Sequence, residues 1–205
     1  MEDYIHDIFV SYCRLGLEWT RWTKQNFADP LTVLMQPRLK NVSIYTDQSL
    51  EIGASWPLEL ARNLARSKLM VVILSRAYFY SDWCKLELGL MFEREKLTGV
   101  RTLENPSGLI IPVIIDDGES FPDDVQAIQG TSIHDFANPF ISIGSPEHQD
   151  LTRVLLMKIC PAIDKALPNV PAFDPKWEKI SHAEVKNMFR LKSQSKMKLP
   201  LINLP

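Results

Sequence analysis

The chain has 205 residues, which allows one domain of about 150 residues with an appendage, or one larger domain. Its 45% hydrophobic and 23% charged residues are typical of a soluble globular protein, and a net charge of -2 excludes a general attraction to nucleic acid or acidic membranes. Three widely spaced cysteines, no apolar signal core and no apolar run near the roughly 18 residues of a membrane helix favour a reducing, cytoplasmic location.

The first half of the chain alternates apolar runs with amphipathic stretches. Residues 7–12 form a short apolar run that suits a buried first strand, and residues 42–46 suit a second one. The stretch between them has helical spacing. Asp29-Pro30 is interpreted there as the cap and first-turn proline of a restarted helix, which Pro37 limits. The apolar residues of this helical region are Leu15, Trp19, Trp22 and Phe27.

The clearest strand of the chain covers residues 69–75. It is apolar throughout, so we expect it to be covered on both faces. A helix that Ser55 can cap precedes it, and a helix that Ser81 can cap follows it. A second apolar strand, 109–115, contains Pro112, which cannot donate to a ladder and therefore predicts an edge position or a local distortion.

The remaining elements complete an alternation of strands and helices. Residues 133–136 are predicted as a short fifth strand, and residues 149–167 as an amphipathic helix that Pro161 interrupts. This alternation predicts a parallel sheet with helices on both faces. In such sheets, ligands bind outside the C-terminal strand ends. The positions just after strands are Ser11, Tyr12, Asp47 and the loop 75–83.

The helix that begins at Ser81 carries a glutamate on its apolar side. At roughly 100° per residue, the apolar arc runs from Leu86 through Trp83 to Phe92, and Glu87 lies near its middle. A carboxylate in that position must lose water, find a partner or open into a cleft. Because the helix follows the third strand, Glu87 is predicted to point towards the rim where the strands end.

Residues 168–205 differ in character from the rest, so we predict a domain of residues 1–167 followed by a proline-containing basic tail. This tail has seven Lys/Arg against three Asp/Glu. Asp174-Pro175 is predicted to cap a short amphipathic helix that docks on the domain or on a partner, with nucleic-acid or membrane binding as the alternative. The apolar residues of that helix are Trp177, Ile180, Val185, Met188 and Leu191.

An ordered set of motifs resembles the TIR (Toll/interleukin-1 receptor) domain over about residues 5–167. The set consists of the 7–12 run, Tyr45-Thr46-Asp47 before a Gly-containing loop, the 71–75 run, and Ser81-Asp82-Trp83-Cys84-x-x-Glu87. The resemblance implies an α/β, flavodoxin-like five-stranded parallel sheet in the order 2-1-3-4-5. It also implies one of two functions, because the family contains enzymes that cleave NAD+ at the nicotinamide–ribose bond and scaffolds that only assemble.

The enzymatic members of the family resemble this chain at Glu87, four residues after the tryptophan. The resemblance implies a catalytic role, and the chemistry allows one carboxylate to suffice. Nicotinamide is already positively charged and leaves neutral, so no general acid is needed, and an anionic glutamate can stabilise the ribosyl oxocarbenium ion. The alternative is a structural glutamate paired with a cation such as Arg66, Lys68 or Arg94.

Five residues are predicted to bind the substrate: Ser11, Tyr12, Arg14, Asp47 and Trp83. Tyr12 either contacts the substrate or is a half-buried strand-end tyrosine. Arg14 matches a position where some enzymatic members carry a basic residue, and it either meets a phosphate or is solvated. Asp47 either touches the substrate or caps its loop. Trp83 either walls the site or belongs to the core.

The loop 48–56 resembles the family's BB loop, and its predicted assembly residues are Leu50, Ile52, Gly53 and Trp56. By that resemblance, TIR enzymes work as ordered oligomers in which the loop of one copy completes the site of another. The loop lacks a proline that is frequent in the family. This departure bears on receptor-type adaptor signalling and leaves the enzymatic interpretation intact.

Together these features predict an NAD+ glycohydrolase that releases ADP-ribose or cyclic ADP-ribose and is activated by self-association. The predicted setting is an immune, antiviral or cell-death response, with a homo-oligomer or filament, or an activating protein, as partner. A non-catalytic TIR–TIR scaffold is the alternative, and a different nucleoside or nucleotide glycosyl-transfer enzyme is a third hypothesis. NAD+ would be a substrate rather than a cofactor, since no Gly-x-Gly-x-x-Gly occurs, and the scattered histidines predict no metal.

Overall fold

The computed structural model describes residues 3–46, 56–104 and 106–179, with the side chains of 56–58 left aside. In this part of the chain, five parallel strands form one sheet in the order β2-β1-β3-β4-β5, which confirms the predicted topology. No helix among these residues has the length and apolar character needed to cross a bilayer. The positions predicted for Asp47, Leu50, Ile52 and Gly53 lie outside the described residues, as does the tail after 179.

The sheet is built around two central strands. Ile8 of β1 is paired with Ile44 of β2 on one side and with Leu69 of β3 on the other. All of β3 except Lys68 is buried, as its uniformly apolar sequence predicts for a strand covered on both faces. The strands are β1 (His6–Tyr12), β2 (Ile44–Thr46), β3 (Ser67–Leu74), β4 (Ile110–Ile114) and β5 (Thr131–Ser132).

Two groups of helices cover the sheet. One group contains α3 (Trp56–Ala65) and α4 (Asp82–Thr98), which pack on each other. The other contains α1, α2, α6 and α7, and a short α5 (Asp123–Gln126) lies after β4. The bounds of the second group are α1 (Leu17–Trp22), α2 (Asp29–Met35), α6 (Pro146–Val154) and α7 (Cys160–Ala166).

The predicted restart at Asp29 is wrong, because the helix runs on without a break. Ala28 and Asp29 both have right-handed helical backbone angles, and a π-helical segment (Thr23–Ala28) joins α1 to α2. In an α-helix, the ring of Pro30 would clash with the carbonyl four residues earlier. That carbonyl belongs to Asn26, inside the widened π segment, so the proline is accommodated without ending the helix.

The last long helix also contains a π-helical segment that accommodates a proline. A π-helical segment (Leu155–Ile159) joins α6 to α7, and the Cys160 N–H bonds to the Leu155 carbonyl. The carbonyl four residues before Pro161 belongs to Met157, again inside the π segment. The predicted interruption by Pro161 is therefore real, but it takes the form of a wider turn. The helix also begins earlier than predicted, where the Ser145 hydroxyl accepts from the His148 N–H.

Pro112 lies inside β4 rather than on an exposed edge. Leu109 and Ile115 bond to β3, whereas the Ile114 carbonyl bonds to Ile133 on the β5 side. Backbone groups alternate in direction along a strand, so Pro112 faces β5, where pairing starts only at Val113. No ladder bond is lost there. The predicted fifth strand at 133–136 is wrong, since β5 precedes it and His134–Phe136 form a 3-10 turn.

The start of the predicted basic tail packs against the domain. Pro175–Lys179 form a single 3-10 turn, and the buried Trp177 ring lies 4.1 Å from the Arg94 guanidinium carbon. The Tyr4 ring lies 5.1 Å from that carbon, and the Tyr4 hydroxyl donates to the Pro171 carbonyl at 2.8 Å. Cation–π contacts of this kind stabilise a partly desolvated arginine. Burial lowers the pKa of Arg94 to about 10.

Candidate active site

A 3-10 turn (Arg76–Tyr80) between β3 and α4 sets up the site. Ser75 accepts from the Tyr78 N–H at 3.2 Å and so holds the turn. Ser81 then accepts from the Cys84 N–H at 3.3 Å, which confirms it as the cap of α4. The turn thereby carries Tyr78 into the interior and directs the first turns of α4 towards the end of β1.

Glu87 meets β1 at the predicted rim. Only 7% of Glu87 is exposed, and its Oε2 accepts a short hydrogen bond from the Ser11 hydroxyl. Ser11 itself is buried at the next-to-last position of β1. The apolar arc therefore does bury the carboxylate, and a residue predicted to bind the substrate contacts it. The structure brings these two predicted residues together.

Tyr78 completes a buried chain of hydrogen bonds that sequence reasoning missed. Its hydroxyl lies 2.7 Å from the Ser11 oxygen. Ser11 has one proton and gives it to Glu87, so the Tyr78 hydroxyl must be the donor to Ser11. Burial is the main cause that raises the pKa of Tyr78 well above its usual range, and the negative charge of Glu87 adds to it, which keeps this donor protonated. No sequence signal separates Tyr78 from the aromatic residues beside it.

A second buried glutamate on α4 shows what a structural one looks like. Glu95 accepts from Arg101 at 2.9 and 3.0 Å and from the Ile110 N–H at 3.0 Å, and it also accepts from the Leu109 N–H. It thus ties α4 to the start of β4 with a cation and two backbone donors. Glu87 has a hydroxyl donor at the C-terminal rim instead, where parallel sheets bind ligands.

The cations proposed as structural partners of Glu87 are engaged elsewhere. Lys68 pairs with Asp7 at 2.7 Å, and Arg66 pairs with Glu178. Arg94 donates to the Ser67 carbonyl at 2.7 Å and to the Tyr4 hydroxyl. Each of the three named cations thus has a partner near the N-terminal ends of the strands or in residues 171–179, which we call the docked connector.

The other predicted binding residues occupy different settings. Tyr12 is buried in the core, and strand alternation directs it to the face opposite Ser11. Arg14 is exposed just after β1. Trp83 is half-buried one turn before Glu87, so it is not a fully buried core tryptophan. Roles for these three in binding a substrate stay predictions, as does the role of Asp47.

Two cavities of the described surface lie away from Glu87. One, of about 280 Å³, lies among β3, β4 and α5, and the other, of about 470 Å³, lies between α2 and α6. Ser11, Tyr78 and Glu87 line neither of them. A carboxylate with 7% exposure is also too enclosed for a ribose to reach it without rearrangement. The loop that resembles the access loop lies outside the described residues, and Trp56 is described only by its backbone.

Comparison with known proteins agrees with this architecture. A family model described as "TIR domain" matches residues 8–142. The TIR domain of the Toll-related receptor TRR-2 from Hydra magnipapillata is similar, with a TM-score of 0.50 and 14% identity, over 77% of this chain and 98% of that one. The TIR domains of the activated Roq1 resistosome recognising the effector XopQ give 0.40 and 17%, over 89% and 96%.

No curated protein sequence matches the chain. At 14% identity, the Hydra magnipapillata structure supports the fold alone. The family model, in contrast, spans more than half of the chain and includes β1, the 3-10 turn and the Glu87 helix. The chain belongs to the TIR-domain family.

Proposed function

We propose that this TIR domain cleaves NAD+ at the nicotinamide–ribose bond, with Glu87 as its catalytic carboxylate. The observation that supports this proposal is the burial of Glu87 at the C-terminal rim of the sheet, with the Ser11 hydroxyl as donor. Burying a carboxylate in apolar surroundings is costly, and such buried ionisable groups are concentrated at functional sites.

The proposed reaction needs little beyond this carboxylate. The nicotinamide ring of NAD+ carries a positive charge and departs as a neutral base, so no acid has to protonate the leaving group. The positive charge that develops on the ribose is stabilised by Glu87 in a poorly hydrated environment. Ser11 holds the Oε2 oxygen of Glu87 and so fixes the position of the carboxylate at the rim. Water or an adenine nitrogen then completes the product.

Activation by self-association fits the enclosed state of Glu87. The carboxylate is almost inaccessible in the single chain, so substrate entry requires a change near the rim. We propose that contact between copies, through the loop 48–56, makes that change and completes the site. Under this proposal, the dispersed protein is inactive and NAD+ cleavage begins when copies assemble, as an immune or cell-death effector would require.

The test is NAD+ consumption measured against protein concentration, with and without a crowding agent. Wild type should show a rate that rises more steeply than the first power of concentration. Glu87→Gln should lower the rate by about 100-fold or more, because it removes the negative charge but keeps the shape. Glu93→Gln on the same helix is the matched control, since Glu93 pairs with Lys96 at the surface and should retain full activity.

A non-catalytic assembly scaffold is the second candidate, and one observation favours it. Tyr78, Ser11 and Glu87 satisfy one another within the chain, as a purely structural network would. If filaments seen by electron microscopy leave NAD+ intact, the scaffold function is the correct one. If filaments consume NAD+ and Glu87→Gln does not slow them, then Glu87 is not the catalytic group.

A further inference from the structure

Two cysteine side chains meet at the seam between β1 and α4. Cys13 follows the last residue of β1, and its Sγ lies 3.4 Å from the Ala77 carbonyl oxygen. Cys84, in the first turn of α4, has its Sγ 3.7 Å from the carbonyl oxygen of Tyr12, the residue bonded to Cys13. Cys13 is half-buried, whereas Cys84 is only 5% exposed.

The two thiols lie close enough to change each other's pKa, and they have unequal roles. A hydrogen bond from Cys84 is the main cause that lowers the pKa of Cys13 to about 7, against the opposing effect of burial. The same contact, together with burial, raises the pKa of Cys84. Cys13 therefore carries the charge and is the accessible thiol, while Cys84 keeps its proton and lies behind it. An accessible nucleophile with a protonated neighbour is the arrangement of a redox-sensitive thiol pair.

The pair also borders the carboxylate. Cys13 is two residues after Ser11, and Cys84 is three residues before Glu87. A covalent link between the two sulfurs would fix the end of β1 to the first turn of α4. Those are the two segments that bring Ser11 and Glu87 together.

We propose that Cys13 and Cys84 are an oxidation site at which a peroxide converts the two thiols into an intramolecular disulfide. The Cys13 thiolate attacks hydrogen peroxide, breaks its O–O bond, and becomes a sulfenic acid with release of hydroxide. The Cys84 thiol then attacks the sulfenic sulfur, a disulfide forms, and water leaves. The two sulfurs lose two electrons in total, and the peroxide is reduced to one hydroxide ion and one molecule of water.

The consequence for catalysis rests on the proposed function. A Cys13–Cys84 bond fixes the start of α4 to the end of β1 and so opposes the change near the rim that substrate entry requires. Oxidation therefore lowers NAD+ cleavage. The disulfide itself is a separate claim, which is tested without any activity measurement. Oxidation would act on each copy, whereas assembly acts between copies.

Peptide mapping of the full chain tests the disulfide. Trypsin places the three cysteines on separate peptides, 1–14 with Cys13, 77–85 with Cys84 and 159–165 with Cys160. After graded hydrogen peroxide and blocking of free thiols, the linked 1–14/77–85 pair should appear first and vanish with a reductant. Cys160, which is fully buried and whose pKa burial raises, should remain unoxidised and serve as internal control.

Two variants check the order of events. In Cys84→Ser, peroxide should leave a sulfenic acid at Cys13 that dimedone traps, whereas in Cys13→Ser, Cys84 should stay unoxidised. Cys160→Ser should behave as wild type. Oxidation of Cys160 as fast as Cys13, or a Cys13 disulfide between two chains instead of within one, would overturn the proposal. If neither oxidised nor reduced filaments cleave NAD+, the proposed function fails while the disulfide map still decides this inference.

Discussion

The Ser11 hydroxyl at the end of β1 donates its only proton to Glu87 on α4, 76 positions later in the chain. This bond joins a central strand to the helix that follows the neighbouring strand. It gives the carboxylate one fixed oxygen and a buried neutral donor. The Tyr78 hydroxyl donates to Ser11, and Ser11 donates to Glu87. Substitutions at Ser11 and at Tyr78 can therefore test separately how strong the Ser11–Glu87 bond is and what it contributes to catalysis.

Ser11→Ala removes the donor to Glu87 and the acceptor of Tyr78 together. We expect NAD+ cleavage by assembled protein to fall by about 10- to 100-fold, since a hydrogen bond to a charged group contributes about 1.5 to 3 kcal/mol. Steady-state kinetics should place this loss mainly in kcat. Ser132→Ala on β5, where the serine is exposed, is the control. Unchanged kinetics in Ser11→Ala would show that the bond has no part in the reaction.

Tyr78→Phe removes only the first donor of the hydrogen-bond chain from Tyr78 through Ser11 to Glu87. Ser11 keeps its proton for Glu87, so we expect a smaller loss of activity than for Ser11→Ala and a loss of stability of about 1 kcal/mol. Urea unfolding and NAD+ consumption measure the two effects. Tyr80→Phe in the same turn is the matched control, because Tyr80 is 67% exposed. An effect as large as that of Ser11→Ala would mean that Tyr78 orients Ser11.

The two buried glutamates of α4 should lose different amounts of stability when each is changed to glutamine. Glu95→Gln loses charged bonds to Arg101 and to two backbone donors, so we expect the free energy of unfolding to fall by on the order of 2 kcal/mol. Glu87→Gln removes a desolvated charge from an apolar face and should cost less than 1 kcal/mol. Urea unfolding compares the two. Equal losses would favour a structural role for Glu87.

The reactivity of Cys13 should titrate near neutral pH. Because its pKa is lowered to about 7, the rate of alkylation of peptide 1–14 should rise as pH increases through 7 and level off above it. At pH 7 about half of Cys13 is then thiolate, against a few per cent for an ordinary cysteine, which predicts roughly tenfold faster alkylation. In Cys84→Ala the midpoint should move to higher pH, because the main cause of the lowered pKa is gone. A midpoint that stays near 7 would show another cause.

The docked connector should contribute to stability through one ring. Trp177→Ala removes the 4.1 Å contact with Arg94 and exposes a guanidinium that the fold buries. We expect a loss of about 2 to 4 kcal/mol in urea unfolding. Lys176→Ala, which changes an exposed neighbour, should cost almost nothing. An unchanged free energy of unfolding in Trp177→Ala would mean that the connector contacts the domain without stabilising it.

The sheet and Glu87 were predictable because both depend on local patterns. Uniformly apolar runs identify buried parallel strands, and helical phase places Glu87 on the inner face. Tyr78 and the Cys13–Cys84 contact were missed, because a 3-10 turn has no such period and the contact joins distant segments. β5 was misplaced because a two-residue strand has too few positions to show alternation. Arg94 was proposed as a partner of Glu87, yet its direction depends on the docked Trp177.

The π segment between α6 and α7 has a consequence for how this helix tolerates changes in length. The buried row Leu151, Leu155, Ile159 and Ile163 advances by four residues each time. In a regular α-helix such a row drifts by about 40° per step, or roughly 120° in all, and would turn away from the core. The π-helical turn offsets this rotation, because it contains one residue more than an α-helical turn.

Deleting the exposed Met157 should therefore leave α7 facing the core, because the buried spacing becomes four, three, four, as in an ordinary amphipathic helix. The deletion should be combined with Pro161→Ala, since a regular turn restores the clash with the proline ring. The core therefore constrains which face of this helix is buried, and it does not constrain the number of residues in the helix.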